Sequence, residues 1–215
     1  VKKKFIMSYS CGKDSTLALY RMIKEGHTPL ALLVTVDKDK KNSWFHEVPL
    51  TLLEKVSKSL GVPLLLADSK GDDYEAVFTE TLIKGKELGA ESCVFGDIDI
   101  DSHREWCTKR CKEANLKEIF PLWQENRESL TYEFIESGFK TVIKKVRLDS
   151  LDENFLGKTL TKELVNNIKE KGADPCGENG EYHTFVYDGP IFNEKINYKL
   201  KENIILNGYG YLNIE

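Results

Sequence analysis

Cysteine, proline and tryptophan are sparse, at 5, 6 and 3 of 215 residues. The cysteines are odd in number, irregularly spaced and without a CxxC pair, which argues against a disulfide framework, a zinc ribbon or a redox dithiol. Reducing cytosol is the compartment this usage fits. Long apolar runs are also missing. No stretch nears the ~20 residues that span a bilayer, and the first residues lack the apolar core of a signal peptide. A soluble, cytoplasmic chain with no membrane partner is therefore expected. Nor is there an excess of positive charge: 31 Lys and Arg against 35 Asp and Glu leave a net charge of −4. That balance disfavours extensive nucleic-acid binding, and the basic runs at 38–41 and 140–147 read as solvated faces.

The Walker A pattern is absent too, since no glycine stands five positions before Gly12 and Asp14 follows Lys13. What is present is an apolar run, Phe5 to Met7, passing into SYSCGKDS at 8–15 and then into a helical stretch. A strand that enters small residues and then a helix leaves N–H groups unpaired where the helix dipole favours an anion. Phosphate suits that place. Lys13 would add a mobile charge, exposed in the free protein, while Ser10 and Ser15 offer hydroxyls and Gly12 permits close backbone approach. A Ser/Asp helix cap with an incidental lysine accounts for the same residues.

Apolar runs at 4–8, 30–36, 63–67, 92–95 and 118–120 alternate with helical periods at 14–25, 49–60, 72–88 and 102–114. Gly26, Gly61 and Gly89 follow helical periods, where a left-handed residue is wanted. This is the signature of an α/β unit with a parallel sheet. Ligands of such sheets sit beyond the carboxyl ends of the strands, so loops 8–15, 37–47, 68–73 and 96–104 are expected to line one site. Beyond 129 the character changes: helices at 131–137 and 160–171 flank a strand at 140–146, and apolar alternation returns at 182–187 and 204–214. The expected fold is α/β, a doubly wound, mainly parallel, Rossmann-like sheet over 1–126, with a smaller α+β domain over 127–215.

A second constellation, DPCGENGEYHTFVYDGPIF at 174–192, sets Glu178, Glu181, His183, Thr184 and Asp188 among Gly177, Gly180 and Gly189. It is either a turn and hairpin with its charges in water, or a site whose carboxylates and His183 bind an amine, orient ammonia or move protons. Phe45 and His46 either close over a ligand or tuck into the core. Cys107 and Cys111 share a helix face and read as packing, as does Trp123.

Residues 10–15, SCGKDS, resemble the SGGKDS pyrophosphate loop of the N-type ATP pyrophosphatases, with Cys11 in place of the first glycine. GENGEYHTFVYDGPIF at 177–192 resembles the second signature of the diphthine ammonia ligase family within that group, a GExGEYxT stretch followed by DGPxF. SWFH at 43–46, GDI at 96–98 with Arg104 downstream, and PLW at 121–123 fit in the same order, so the likeness runs over 8–192. The resemblance implies a ligase that adenylates a carboxylate with ATP and transfers ammonia, releasing AMP and pyrophosphate, as that family does on a modified histidine of elongation factor 2.

It implies ATP held by Ser8, Ser10, Cys11, Gly12, Lys13, Asp14, Ser15, Asp37, Gly96 and Asp97, with Lys13 and Asp14 catalytic. Mg2+ would lie with Asp14 and Asp97. The acceptor side would comprise His46, Arg104, Glu178, Glu181, Tyr182, His183 and Thr184. Asp97 reads equally as a helix cap, and Arg104 is either a carboxylate clamp or a surface residue paired with Glu105 or Glu113. With no glutaminase domain and no N-terminal nucleophilic cysteine in the sequence, free ammonia is the expected nitrogen source. The alternatives are a related enzyme acting on a small molecule or RNA, the latter disfavoured by the acidic charge and missing CxxC, and a non-catalytic ATP or AMP sensor. A homodimer is left open.

Overall fold

A computed structural model describes residues 2–215. The first sheet and its helices comprise β1 (Lys4–Ser8), α1 (Lys13–Lys24), β2 (Thr28–Asp37), β3 (Asn42–Ser43), α2 (Leu50–Leu60), β4 (Leu64–Ser69), α3 (Tyr74–Glu87), β5 (Ser92–Val94), α4 (Asp101–Glu113) and β6 (Lys117–Ile119). Phe5, Ile6 and Met7 of β1 are all fully buried, because a central parallel strand is covered on both faces. On α2, Leu52, Leu53 and Val56 form the buried stripe, and Gly61 at φ 66° ends the helix.

The parallel strands lie in the order β4-β2-β1-β5-β6. From β1 the chain winds first toward β4, then returns to place β5 and β6 on the other side. The order therefore reverses between β1 and β5, and the crevice beyond their carboxyl ends is the place such sheets keep for a ligand. The short β3 continues the β1 edge of β2: Tyr9 N–H donates to Leu33 O at 2.8 Å, and Trp44 N–H to Thr35 O at 3.1 Å. It folds the loop carrying Phe45 and His46 over the end of β1.

The rest of the chain forms α5 (Arg127–Glu136), β7 (Lys140–Arg147), a 3-10 turn at Glu153–Phe155, α6 (Lys162–Glu170), β8 (Tyr182–Asp188), β9 (Ile204–Leu206) and β10 (Tyr209–Tyr211). These strands make an antiparallel sheet in the order β8-β7-β10-β9. Helix α5 begins at Arg127 rather than 131 because the Asn126 side chain accepts Ser129 N–H at 2.9 Å. The alternation at 204–214 is not one strand. Asn207 and Gly208, at φ 51° and 79°, turn it into a hairpin, the geometry that Asn-Gly favours.

The sheets share a core. One buried apolar cluster runs from Phe5, Met7 and Leu17 to Phe134, Phe139, Phe185 and Ile214, with Tyr20 edge-on to Phe139 at 5.3 Å. The Arg21 fork reaches both Glu125 and Glu133, tying α1 to α5. On the other face of the first sheet, Ile6, Leu33, Phe78 and Leu82 pack with α3 and α4. There α3 comes so near β1 that a Cβ on Gly85 would lie 1.7 Å from Ile6 Cδ1. Alanine would gain ~1 kcal/mol of helix propensity, but overpacking against a fully buried isoleucine costs ~1–3 kcal/mol. Gly85→Ala is thus expected to lower the urea midpoint with an unchanged slope; a raised midpoint would contradict this packing.

Candidate active site

A cleft of ≈ 590 Å³ opens beyond the ends of β1 and β5, within the range usual for small-molecule sites. The phosphate loop forms its floor. Aromatic side chains from the β3 loop, α3 and α4 form one wall, and residues 176–178 and 182–184 form the other.

Two backbone features shape the floor. Cys11, where the resembling family pattern has glycine, is fully buried with φ 62°, a left-handed conformation that costs a side-chain-bearing residue ~1–2 kcal/mol. Gly96, following β5, meets the start of α1 so closely that a Cβ would lie 2.7 Å from Ser15 N and 2.9 Å from Asp14 C. Only glycine fits against that backbone.

Strand β8 presses directly on the loop. Lys13 N–H donates to Thr184 Oγ1 at 3.0 Å, Val186 N–H donates to Cys11 O at 2.8 Å, and His46 Nδ1 lies 2.8 Å from Thr184 O. Within the loop, Gly12 N–H donates to Ser10 Oγ at 3.2 Å and Ser10 N–H to Ser15 Oγ at 3.3 Å. The expected array of unpaired N–H groups is therefore partly occupied, by the loop's own Ser10 and Ser15 hydroxyls and, at Lys13, by the Thr184 hydroxyl of the second sheet.

Lys13 is not exposed in the free protein, contrary to expectation: the residue is only 3% accessible. Its Nζ lies 2.7 and 2.9 Å from the Asp14 oxygens, 3.3 Å from Cys176 Sγ and 5.6 Å from the Tyr182 ring centroid. Burial pulls the Lys13 pKa down, but Asp14, with Cys176 and Tyr182, outweighs it, and the net direction is upward. Burial, aided by Asp14, pushes the Cys176 thiol up to about 12, so it stays protonated and sits 3.5 Å from Asp14 Oδ1 as a donor. Burial also raises Glu178 to about 7; Asp14 and Asp97 add to the rise, while Lys13 and Arg127 oppose it.

Beside it, Asp97 Oδ1 lies 3.3 Å from His103 Nδ1, and this bond raises the imidazole pKa. His46 is lowered to about 4 and His183 well below its usual value, chiefly by burial. Both are neutral at pH 7, with ring centroids 4.7 Å apart. Since a carbonyl only accepts, His46 carries its proton on Nδ1 and leaves Nε2 as an acceptor.

Ser8, Ser10, Gly12, Lys13, Asp14, Ser15, His46, Gly96, Asp97, Glu178, Tyr182, His183 and Thr184 all line this cleft. Four candidates do not. Cys11 shapes the loop from beneath. Asp37 turns away and accepts the N–H groups of Asp39 and Lys40 at 3.0 and 3.1 Å. Arg104 is exposed and stacks on Trp123 and Phe120, 4.8 and 5.8 Å from their ring centroids, instead of clamping a carboxylate or pairing with Glu105 or Glu113. Glu181 is buried and accepts Asn179 N–H at 3.1 Å and Asp174 N–H at 3.4 Å, so it closes its own turn.

Other residues of the cleft escaped the sequence. Cys176 lies inside the second constellation, yet nothing there signals its contact with Lys13. Tyr74, Phe78 and Trp106 sit at helical spacings that read as core, but with Phe45 they make the aromatic wall, at centroid separations of 6.2 Å for Phe45–Tyr74, 5.9 Å for Tyr74–Trp106 and 4.9 Å for Phe78–Trp106. Among the described residues, no group of three or more His, Cys, Asp or Glu is placed to hold a metal.

Glu178 gives the cleft a pH signature. Its folded pKa lies above the ordinary value, so the folded state binds the proton more tightly and stability falls as pH rises from 4.5 to about 7. Glu178→Gln removes that loss. Urea denaturation should find the variant more stable than the parent by up to ~3 kcal/mol at pH 8, with this advantage gone below pH 4.5. A difference that does not change with pH would contradict the assignment.

Comparison with known proteins supplies the family. Residues 3–118 match the diphthamide synthase N-terminal domain and residues 126–215 the diphthamide synthase C-terminal domain. Curated proteins named diphthine–ammonia ligase from Mus musculus and Homo sapiens are each 32% identical, over 87% of this chain and 79% of theirs. The Rattus norvegicus protein of that name is 32% identical over 91% of this chain and 83% of its own. A solved structure from Methanocaldococcus jannaschii, described as a predicted subunit of tRNA methyltransferase, covers 91% of this chain and 100% of its own at 16% identity and TM-score 0.45. With both halves matched and about a third of aligned residues shared with relatives covered over most of their length, the chain belongs to the diphthine–ammonia ligase family.

Proposed function

We propose that this protein is an ATP-dependent ligase that adenylates the carboxylate of diphthine on elongation factor 2 and converts it to the amide with free ammonia, releasing AMP and pyrophosphate. The observation that carries the reading is the meeting, in one cleft, of Lys13 and Asp14 from the first sheet with Cys176, Glu178 and Thr184 from the chain of the second. On this reading residues 1–126 bind the nucleotide and 127–215 the acceptor.

In the first step a carboxylate oxygen attacks the α-phosphorus of ATP. The bond from that phosphorus to the bridging oxygen breaks, and its electron pair leaves with pyrophosphate. Lys13 faces the departing charge, a role that requires its ammonium to be shared between Asp14 and the phosphate oxygens. Asp14 and Asp97 are the carboxylates that would hold Mg2+, an ion that needs few protein carboxylates when substrate phosphates supply other ligands. The metal would offset charge on the leaving group. The aromatic wall of Phe45, Tyr74, Phe78 and Trp106 offers its faces to the adenine.

In the second step the ammonia lone pair attacks the acyl carbon, the bond from carbon to the AMP oxygen breaks, and nitrogen loses a proton. At neutral pH ammonia arrives largely as ammonium and must first be deprotonated. Glu178, held near 7, is matched to that transfer. His103, oriented by Asp97, stands beside it.

The test is product analysis with diphthine-bearing elongation factor 2, ATP and ammonium. One AMP and one pyrophosphate should accompany each amide. Lys13→Met, which keeps the buried stem, should slow pyrophosphate release ~100-fold or more while a urea titration confirms folding. ADP and phosphate as products, or an undiminished rate in folded Lys13→Met, would overturn the reading.

A further inference from the structure

A pair of unpartnered lysines stands beside the acceptor wall. In the β7–β8 pairing Ile143 faces Thr184 and Lys145 faces His183, so Lys144 is an extra residue in a bulge. Consecutive residues of a regular strand point to opposite faces; a bulge re-aims them. Here both lysines come within electrostatic reach of the same carboxylate, Glu47, in the loop that also carries His46.

Lys144 is 97% buried, being 3% accessible, and Lys145 is half-buried, its Nζ 4.6 and 5.0 Å from the ring centroids of Tyr209 and Tyr211. Among the described residues neither ammonium has a hydrogen-bond or ion-pair partner, and burial lowers both pKa values, Lys144 to about 8. Two lysines against one glutamate leave a positive excess. Lys144 thus has a buried stem and an unpartnered ammonium that is not sealed from solvent, a charge that an anion can still reach and whose partial desolvation that anion would offset.

The location decides what completes it. Lys144 acts electrostatically on His46 and Lys145 on His183, and both imidazoles line the cleft. Tyr211, Lys145 and His183 form a row across β10, β7 and β8. The phosphates already have the loop, whose Lys13 N–H meets the Thr184 hydroxyl. Resting on the ligase reading, we propose that Lys144 and Lys145 form a carboxylate-binding subsite that receives the acceptor's acid group beside His46 and His183.

Two measurements test it. Acetate is the probe in the first, titrated at constant ionic strength against chloride, with the Cε signals of labelled lysines followed by NMR and assigned with Lys144→Met and Lys145→Gln. Acetate should move the Lys144 titration upward by about one pH unit, by adding a counter-charge; a response no different from that to chloride overturns the subsite, whatever becomes of the ligase reading. In the second, each variant should raise the KM for diphthine-bearing elongation factor 2 by about tenfold or more, a difference of ~1.4 kcal/mol, and leave the KM for ATP unchanged.

An unchanged acceptor KM, or a rise confined to ATP, overturns the proposal. Lys144→Met should also raise the urea midpoint, which a merely structural lysine would share, so the acceptor KM is the deciding reading. Should Lys144→Met fail to fold, the half-buried Lys145→Gln carries the kinetic test. If the parent protein forms no amide on the factor, the ligase reading fails while the acetate titration still decides the subsite.

Discussion

Thr184 joins the two halves of the cleft. Its hydroxyl accepts Lys13 N–H at 3.0 Å and its carbonyl accepts the His46 Nδ1 proton at 2.8 Å, while Val186 on the same strand reaches Cys11 O at 2.8 Å. A strand of the second sheet thus sets the start of α1, the tautomer of a cleft histidine and the height of the phosphate loop. Each such bond nets only ~1 kcal/mol, but leaving its buried groups unpaired costs ~1–3 kcal/mol apiece. The left-handed Cys11 is held by the same contacts, and its strain is tolerated because the surrounding backbone is over-determined.

Around that junction the protein keeps groups that oppose its stability. Lys13 is buried against Asp14 and Cys176, and Glu178 has a proton affinity far from that of a free carboxylate. Two neutral histidines and an unpaired buried lysine stand close behind. Perturbed groups of this kind gather where chemistry is done. The shared apolar core from Phe5 to Ile214 offsets their cost, and the Arg21 fork to Glu125 and Glu133 adds to the attachment between the halves.

The parallel sheet was legible because its strands are short apolar runs separated by helical periods and terminal glycines, and that pattern is local. The phosphate loop was legible for the same reason. The burial of Lys13 was not, because it depends on Cys176 and Tyr182, far away in sequence. Nor were the roles of Glu181 and Asp37: a carboxylate looks the same in sequence whether it faces a ligand or folds back onto its own turn. Tyr74, Phe78 and Trp106 carry the spacing of core residues, and only the crossing of α3 and α4 beside the β3 loop turns them into a cleft wall. The bulge at Lys144 is set by register between strands. The Asn207-Gly208 turn, by contrast, could have been read from those two residues alone.

On the proposed route a carboxylate oxygen becomes bonded to the α-phosphorus of ATP in this cleft. The most direct test of that step uses diphthine-bearing elongation factor 2 labelled with oxygen-18 in the diphthine carboxylate, with mass spectrometry of the nucleotide product. An acyl-adenylate route transfers one labelled oxygen to AMP for each amide formed. Amide formation with unlabelled AMP, or with ADP in its place, would rule that route out.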